Sequence, residues 1–481
     1  MKFKKVLLIS ARFYKGIHRL SITPVAGLGY ISHALLGSGI ETSVFDMNLQ
    51  YDFAQLVKRI SEYKPDLIGF SVMTFGHKEA YQNITRIKKI FHNITVIVGG
   101  PHVSTLRERV LKDCPGIDYG AVLEGDRTIL DLCSGKDHAN IQGLIYRKGN
   151  EIIYNKYLDF IQDLDKVGYP KYEAFELAKY PTRQIGIVTS RGCPYNCIYC
   201  PVITAIGRKF RFRSASSVVE EIEYWYNRGF REILILDDNF TLLKKRVNEI
   251  CDLLTQKQLP GISLKCPNGI RADMVDHALL KKMKEVGFDK IAFGVEAGND
   301  KILANIKKGE SIATIEKSIS DACQLGFDVD LFFILGSPGE TISDINDSFA
   351  LALRYPVSSA KFYNIVPFPT TELFNWIQKN NYFLHDPEDI LNNASHFVNE
   401  PAFFTPELSA QQRKDVFRQA SKITRKIRRN YIERRVKLPK FFAKAFSMAF
   451  TNPFVEDTLL TNIIFVKFKE AVKYLTLGKN K

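Results

Sequence analysis

The chain has 481 residues, 45% of them hydrophobic and 25% charged, with a formal net charge of +15 at pH 7; this excludes a disordered polymer, and no apolar run reaches the ~18 residues of a spanning helix. At about 150 residues per domain, the length predicts two or three domains. Of the eight cysteines, Cys114, Cys133, Cys251, Cys266 and Cys323 are scattered singly while three crowd into one loop, which excludes a disulfide framework.

The opening MKFKKVLLIS is basic and then apolar, like a signal peptide, but Ser10-Ala11-Arg12 ends the run and brings charge back. It reads as a buried first strand, and a cytoplasmic location is expected. From Lys4 to about Asn140, the β-rich runs VLLIS, SVFD, LIGFSV, TVIVGG and YGAVL alternate with helical stretches. Such alternation predicts an α/β domain over 1–140, a doubly wound, Rossmann-like parallel sheet. Ligands bind such sheets beyond the carboxyl ends of the strands. Near those ends stand Thr23-Pro24, Ser71 to His77, Gly99-Gly100-Pro101-His102 and Glu124-Gly125-Asp126. The paired glycines would let a ligand approach the backbone.

Next, LIYRKGNEIIY predicts a hairpin turned at Lys148-Gly149-Asn150, and a proline-punctuated stretch follows, so 141–183 is the candidate linker. From Gln184 the strands IGIVTS, ILILDD, SLKCPNG, KIAFGVE, VDLFFILG and AKFYNIVP each precede helical sequence. These six units predict a partial (βα)6 barrel over 184–385. The helix after the cysteine loop is expected to open at Ser217, with Glu220 completing a capping box. Residues 386–481 read as a basic helical C-terminal region.

The run TSRGCPYNCIYCPV places Cys193, Cys197 and Cys200 directly after a strand with three and then two residues between them, so that three thiolates can converge on one small object. A structural zinc site wants four closed ligands, and the next cysteine, Cys251, lies on a predicted helix far along the chain. A cubane cluster with one iron left free explains the deficit; a zinc knuckle completed by a distant His or Cys is the alternative. Asp237, Asp238 and Asn239 end the strand ILILDD, where each is either a ligand contact or a helix cap. FILGSPGET reads as a tight turn into a helix opened by Thr341, or as a ligand loop.

CPYNCIYC resembles the signature of radical S-adenosylmethionine (SAM) enzymes, with Tyr199 as the aromatic residue before the last cysteine. The resemblance implies a [4Fe-4S] cluster on Cys193, Cys197 and Cys200. Its free iron would bind the amino and carboxylate groups of SAM, and an electron from a donor such as flavodoxin or ferredoxin would release a 5′-deoxyadenosyl radical. The implied SAM contacts are Tyr199, Asp238, Asn239, Arg271, Glu296 and Pro338, although Ala297 stands where the family more usually has serine.

TPVAGLGYISHALLGSG, VGGPHVS and VLEGDRT resemble the cobalamin-binding subgroup, so that the likeness covers about residues 1 to 380. It implies cobalamin held by Thr23, Pro24, Ser71, Gly99, Gly100, Pro101, His102, Glu124 and Gly125. The subgroup's Asp, His and Gly motif is absent after the first strand, where ARFYKG stands, as in members that bind cobalamin without a protein histidine. His102 is therefore read as a loop hydrogen-bonder ahead of a cobalt ligand.

The activity implied is methylation of an unactivated carbon in a small biosynthetic intermediate, with one SAM methylating cobalamin and a second generating the radical. Cyclisation or ring rearrangement in tetrapyrrole or lipid biosynthesis, without methyl transfer, is the alternative; a non-catalytic zinc-binding adaptor is a further one. Methylthiotransferases need a second three-cysteine site, which Cys114 and Cys133 alone do not supply. No constellation of acids and bases names catalytic residues or a substrate. Between Arg413 and Lys444, thirteen Lys or Arg face two acids, with Val416, Phe417, Ile423 and Ile427 among them. A helix packed on the core by its apolar side ranks first there, an anionic membrane surface second and nucleic acid third.

Overall fold

The structure is a computed structural model that describes residues 1–12, 22–156, 159–387, 399–452 and 455. Strand β1 (Lys5–Ser10) is buried along nearly its whole length. That is the pattern of a parallel strand covered on both faces. Strands β2 (Glu41–Asp46), β3 (Leu67–Ser71), β4 (Thr95–Gly99) and β5 (Tyr119–Ala121) join it in the parallel order β2-β1-β3-β4-β5. Alternate side chains feed two cores: Val6, Leu8 and Val44 pack on one face, Leu7, Ile9 and Phe45 on the other. The order reverses direction between β1 and β3, and such switch points open a ligand crevice.

One expectation is corrected here. The predicted hairpin exists as β6 (Leu144–Lys148) and β7 (Glu151–Tyr154), but β6 pairs antiparallel with β5, so the stretch assigned to a linker completes a seven-stranded sheet. Burial of Leu144 and Ile145 and cover for the β5 edge explain the addition. Residues after the hairpin tie the two halves of the chain: the Tyr172 hydroxyl donates to the Gly186 carbonyl at 3.1 Å, and the Tyr180 hydroxyl to Asp46 at 2.8 Å.

The second sheet begins with β8 (Gln184–Ile187). A short antiparallel pair, β9 (Ser190–Arg191) and β10 (Arg211–Phe212), then brackets the cysteine loop. Strands β11 (Glu232–Ile235), β12 (Ser263–Ile270), β13 (Phe288–Glu296), β14 (Asp328–Leu335) and β15 (Ser359–Asn364) follow, all parallel, in the order β8-β11-β12-β13-β14-β15. Each strand adds at the growing edge, which gives the expected open six-unit barrel. The helix Ala215–Asn227 opens three residues earlier than expected: Ser214 caps it by accepting from the Ser217 amide, while the Ser217 hydroxyl accepts from buried Arg213.

The helix Ala410–Arg435 lies along the edge strand β15, with the Thr424 hydroxyl donating to the Ala360 carbonyl at 2.8 Å. Val416, Phe417 and Ile427 are buried, so this basic helix packs on the core. The next helix, Lys440–Phe450, leaves Phe441 78% and Phe442 60% exposed. Among the described residues no helix is long and apolar enough to cross a membrane. Of ARFYKG, only Ala11 and Arg12 are described, and most of the stretch after Asn452 lies outside the described residues.

Candidate active site

All strands of a parallel sheet end on one side, and pairing sets Asp46, Ser10, Ser71 and Gly99 level along the carboxyl edge of the first sheet. The carboxyl edge of the second carries the cysteine loop, Asp237 to Asn239, Arg271, Glu296 and the Gly336–Glu340 loop. The two edges meet. The helix Pro101–Leu106 packs on Val202–Ala205, just past Cys200, and the Phe75 ring lies 5.4 Å from that of Phe368.

The cysteine loop is tightly built. Gly192 sits at φ +88°, where an added Cβ would collide with the Lys209 carbonyl oxygen. The Cys193 amide donates to Gly207 at 3.3 Å, the Cys200 amide to Cys197 at 3.2 Å, and the Ile198 amide to Ile306 at 3.1 Å. Burial pushes all three thiols up, Cys200 to about 12, with the neighbouring thiols adding to its shift. They stay protonated until a metal displaces the protons. Among the described residues no three His, Cys, Asp or Glu side chains, the three loop thiols included, gather around a point that one ion could occupy. Three soft donors on one loop suit a cluster that leaves a metal corner open.

Around this loop the expected SAM contacts divide by role. Asp237 is structural: its carboxylate accepts from the Thr189 amide at 2.6 Å, the Thr189 hydroxyl at 2.5 Å and the Ser190 hydroxyl at 2.6 Å, fixing the chain that enters the loop. Asp238 is pushed up to about 6 by burial and by the adjacent Asp237. Asn239 occupies a cap position without making a cap bond, and both polar atoms of its side chain are buried without a partner among the described residues. Such orphans are rare and call for a ligand, so the capping alternative fails for Asn239.

Glu296 ends β13 at φ +68°, a strained conformation for a non-glycine residue. Its carboxylate lies 3.1 Å from the Lys308 ammonium, and burial, with the charge of Glu296 next, keeps the proton on the Tyr199 hydroxyl. Burial opposes the charge of Lys308, but Glu296 and Glu310 outweigh it. Arg271 is present as a brace. It stacks on the Tyr195 ring at 3.6 Å, donates to both oxygens of Asp273, and reaches the Lys308 carbonyl at 2.8 Å.

At Pro338 the carbonyl accepts from Asn305 at 2.9 Å, and Glu340 accepts from the amides of Gly336 and Ser337. A helix capped by Thr341 and Asp344 follows, as the tight-turn alternative requires. Sequence reasoning missed Arg413, which enters from the C-terminal helix fully buried and donates to the Gly336 carbonyl. A Cβ on Gly336 would collide with that guanidinium, which is why glycine stands there. Lys308 was missed as well, because IKKGE reads as a solvated charge run.

On the first edge, Thr23 and Pro24 lead into the helix Ala26–Gly37, while Ser71, Gly99, Gly100, Pro101 and His102 share the neighbouring ends of β3 and β4. Gly100, at φ +102°, is required by the protein itself: a Cβ there would lie 2.9 Å from the Val72 carbonyl oxygen. The His102 ring is fully buried, stacks on His77 at 4.4 Å, and shares a hydrogen bond of 3.0 Å with the Tyr81 hydroxyl. Glu124 stands on the same edge, just past β5. Its carboxylate oxygens accept from Arg191, Arg211 and the Ile161 amide, all outside the first sheet, and Gly125 opens the helix Gly125–Ser134 behind it.

Residues 187–352 match the radical SAM superfamily, and residues 16–132 match the B12 binding domain. An uncharacterized methyltransferase of Pyrococcus horikoshii is 29% identical over 417 residues, 83% of this chain and 90% of its own. The cytidylyl-2-hydroxyethylphosphonate methyltransferase of Streptomyces wedmorensis is 25% identical over 85% of this chain and 88% of its own. The anaerobic magnesium-protoporphyrin IX monomethyl ester cyclase of Rubrivivax gelatinosus is 24% identical over 77% and 69%. In fold, the chain is similar to the cobalamin-dependent S-adenosylmethionine radical enzyme OxsB with aqua-cobalamin and S-adenosylmethionine bound, at a TM-score of 0.76 and 16% identity over 98% of this chain and 75% of that one. It is also similar to the radical S-adenosylmethionine methyltransferase TsrM of Kitasatospora setae, at a TM-score of 0.73 and 18% identity over 98% of this chain and 100% of that one.

Proposed function

Since the chain belongs to the B12-binding radical SAM family, we propose that it is a cobalamin-dependent methyltransferase acting on an unactivated carbon of a small biosynthetic intermediate. The observation that carries this reading is the meeting of the two carboxyl edges, one with the three thiols of Cys193, Cys197 and Cys200, the other with the loops at Ser71 and Gly99. When bound, the cluster supplies the electron that splits SAM, and cobalamin supplies the methyl group. The protein's own part is placement. Asp237 and Gly192 shape the cysteine loop, the Glu296, Lys308 and Tyr199 group offers a buried charged pair beside it, and Asn239 offers two unspent hydrogen-bonding atoms. Radical abstraction depends on such positioning more than on acids and bases.

Methyl transfer is favoured over cyclisation because the two relatives named methyltransferases are spanned over 90% and 88% of their length, and the cyclase over 69%. A second cluster of the methylthiotransferase kind has no support in Cys114 and Cys133, which lie in separate cores. Anaerobic reconstitution with iron, sulfide and hydroxocobalamin tests the proposal. The expected product is a brown protein that keeps cobalamin through gel filtration; one that takes up the cluster but never cobalamin would contradict the methyltransferase reading. Contact with an anionic lipid surface is a further proposal, favoured by Phe441 and Phe442 exposed beside Lys437, Lys440 and Lys444. Phosphatidylserine vesicles should sediment the protein and lose it in the doubly substituted F441S/F442S variant.

A further inference from the structure

Glu124 follows β5 on the edge where the first domain meets the cysteine loop, and its side chain is 6% exposed. Oε1 accepts from Arg191 Nη1 at 2.8 Å and from Arg211 Nη1 at 2.6 Å, and Oε2 accepts from the Ile161 amide at 2.8 Å. Arg191 on β9 pairs in register with Arg211 on β10, so the two guanidiniums flank the stem of the loop that carries all three cysteines. Asp126 stands 3.8 Å from Arg191, whose guanidinium lies 5.0 Å from the centre of the Tyr30 ring. Arg211 Nη1 also donates to the Ile161 carbonyl at 2.8 Å, but both carboxylates come from the B12-binding domain. Both cations come from the radical SAM side.

Two guanidiniums held side by side repel, and burying them is favourable only with an anion between them. That anion is borrowed from the other domain. Burial works against the charge of Glu124, yet Arg191 and Arg211 hold its carboxyl below the usual carboxylate range. A cysteine loop needs no such partner to gather three thiols, and a B12-binding sheet needs no carboxylate turned out of it; the contact serves the relation between the two.

We infer that Glu124 is a positioning residue that sets the separation between the cobalamin edge and the cluster loop, a role that rests on the cobalamin reading above. The substitution Glu124→Gln keeps the shape and removes the charge. The full chain is loaded with cluster and cobalamin, and electron paramagnetic resonance of the reduced cluster beside cob(II)alamin reads their separation through the dipolar splitting. The variant should carry iron and cobalamin at wild-type levels and release 5′-deoxyadenosine from SAM as the wild type does, with a splitting that is shifted or smeared out. An unchanged splitting overturns the role. Loss of the cluster alone, or of cobalamin alone, also overturns it, because Glu124 would then be a local support of one site. If Glu124→Gln does not accumulate, Arg211→Lys, which keeps the charge but loses the guanidinium fork, is judged by the same splitting. Wild-type protein that binds no cobalamin refutes the proposed function and this role together; a loaded wild type with an unmoved variant refutes this role alone.

Discussion

Replacing Lys308 with Met probes the buried charges beside the cysteine loop. The Lys308 side chain is 7% exposed, and its ammonium stands 3.1 Å from Glu296 and 3.5 Å from Glu310, which is fully buried. Methionine fills similar volume and leaves the Lys308 carbonyl free to hold Arg271, so the substitution isolates the charge. Removing one partner of a buried ion pair costs about 3–5 kcal/mol, since the remaining charge is left uncompensated. At about 2–4 °C per kcal/mol for a domain of this size, the melting transition should fall by roughly 6–20 °C at neutral pH. The pH dependence follows from Glu310, whose carboxyl burial already raises and Lys308 lowers. Without Lys308 its folded-state pKa rises further above the unfolded value. A group shifted that way stabilises the fold below its unfolded pKa and loses that contribution as pH rises through the folded one. The deficit of the variant should therefore be largest at neutral pH and shrink toward about pH 4.5. Melting curves over that range read it directly. A wild-type melting temperature, or a deficit that does not change with pH, would refute the charge assignment.

Glu340 is pushed up to about 7 by burial, so its contribution to stability is lost as pH rises from the ordinary carboxyl range through 7, at about 1.4 kcal/mol per pH unit. Glu340→Gln should match the wild type in acid and melt above it at alkaline pH; the reverse order would contradict the assignment. Gly192→Ala forces a side chain into the left-handed region against the Lys209 carbonyl, at a cost of about 1–3 kcal/mol, and should lower iron per chain while circular dichroism stays unchanged. Full iron loading in that variant would show that the loop does not need the turn. Asn239→Ala should weaken binding of SAM to the reconstituted protein by about tenfold or more, because a buried polar side chain without a protein partner is best explained by a ligand; unchanged affinity by equilibrium dialysis would remove Asn239 from the site.

Strands such as β1, β4 and β14 were legible because each is a short apolar run buried on both faces. Cysteine spacing likewise points to a shared guest, because one short loop carries all three thiols at the edge of the second sheet. The pairing of β6 with β5 was not legible, since periodicity reports which face is buried and not which neighbour is taken. Buried charge was also invisible. Arg191 and Arg211 meet Glu124 across 67 and 87 residues, and Arg413 meets Gly336 across 77, so local sequence shows a cation without its partner. Asn239 shows the same limit from the other side: its sequence suits a cap, and only the structure leaves its side chain unpaired.

The most direct test of the account is release of 5′-deoxyadenosine from SAM by anaerobically reconstituted protein given a one-electron reductant, with Cys197→Ala in parallel. The account predicts release by the wild type and none by the variant. Equal release by both, or a wild type that binds iron and SAM yet never yields the nucleoside, would contradict it.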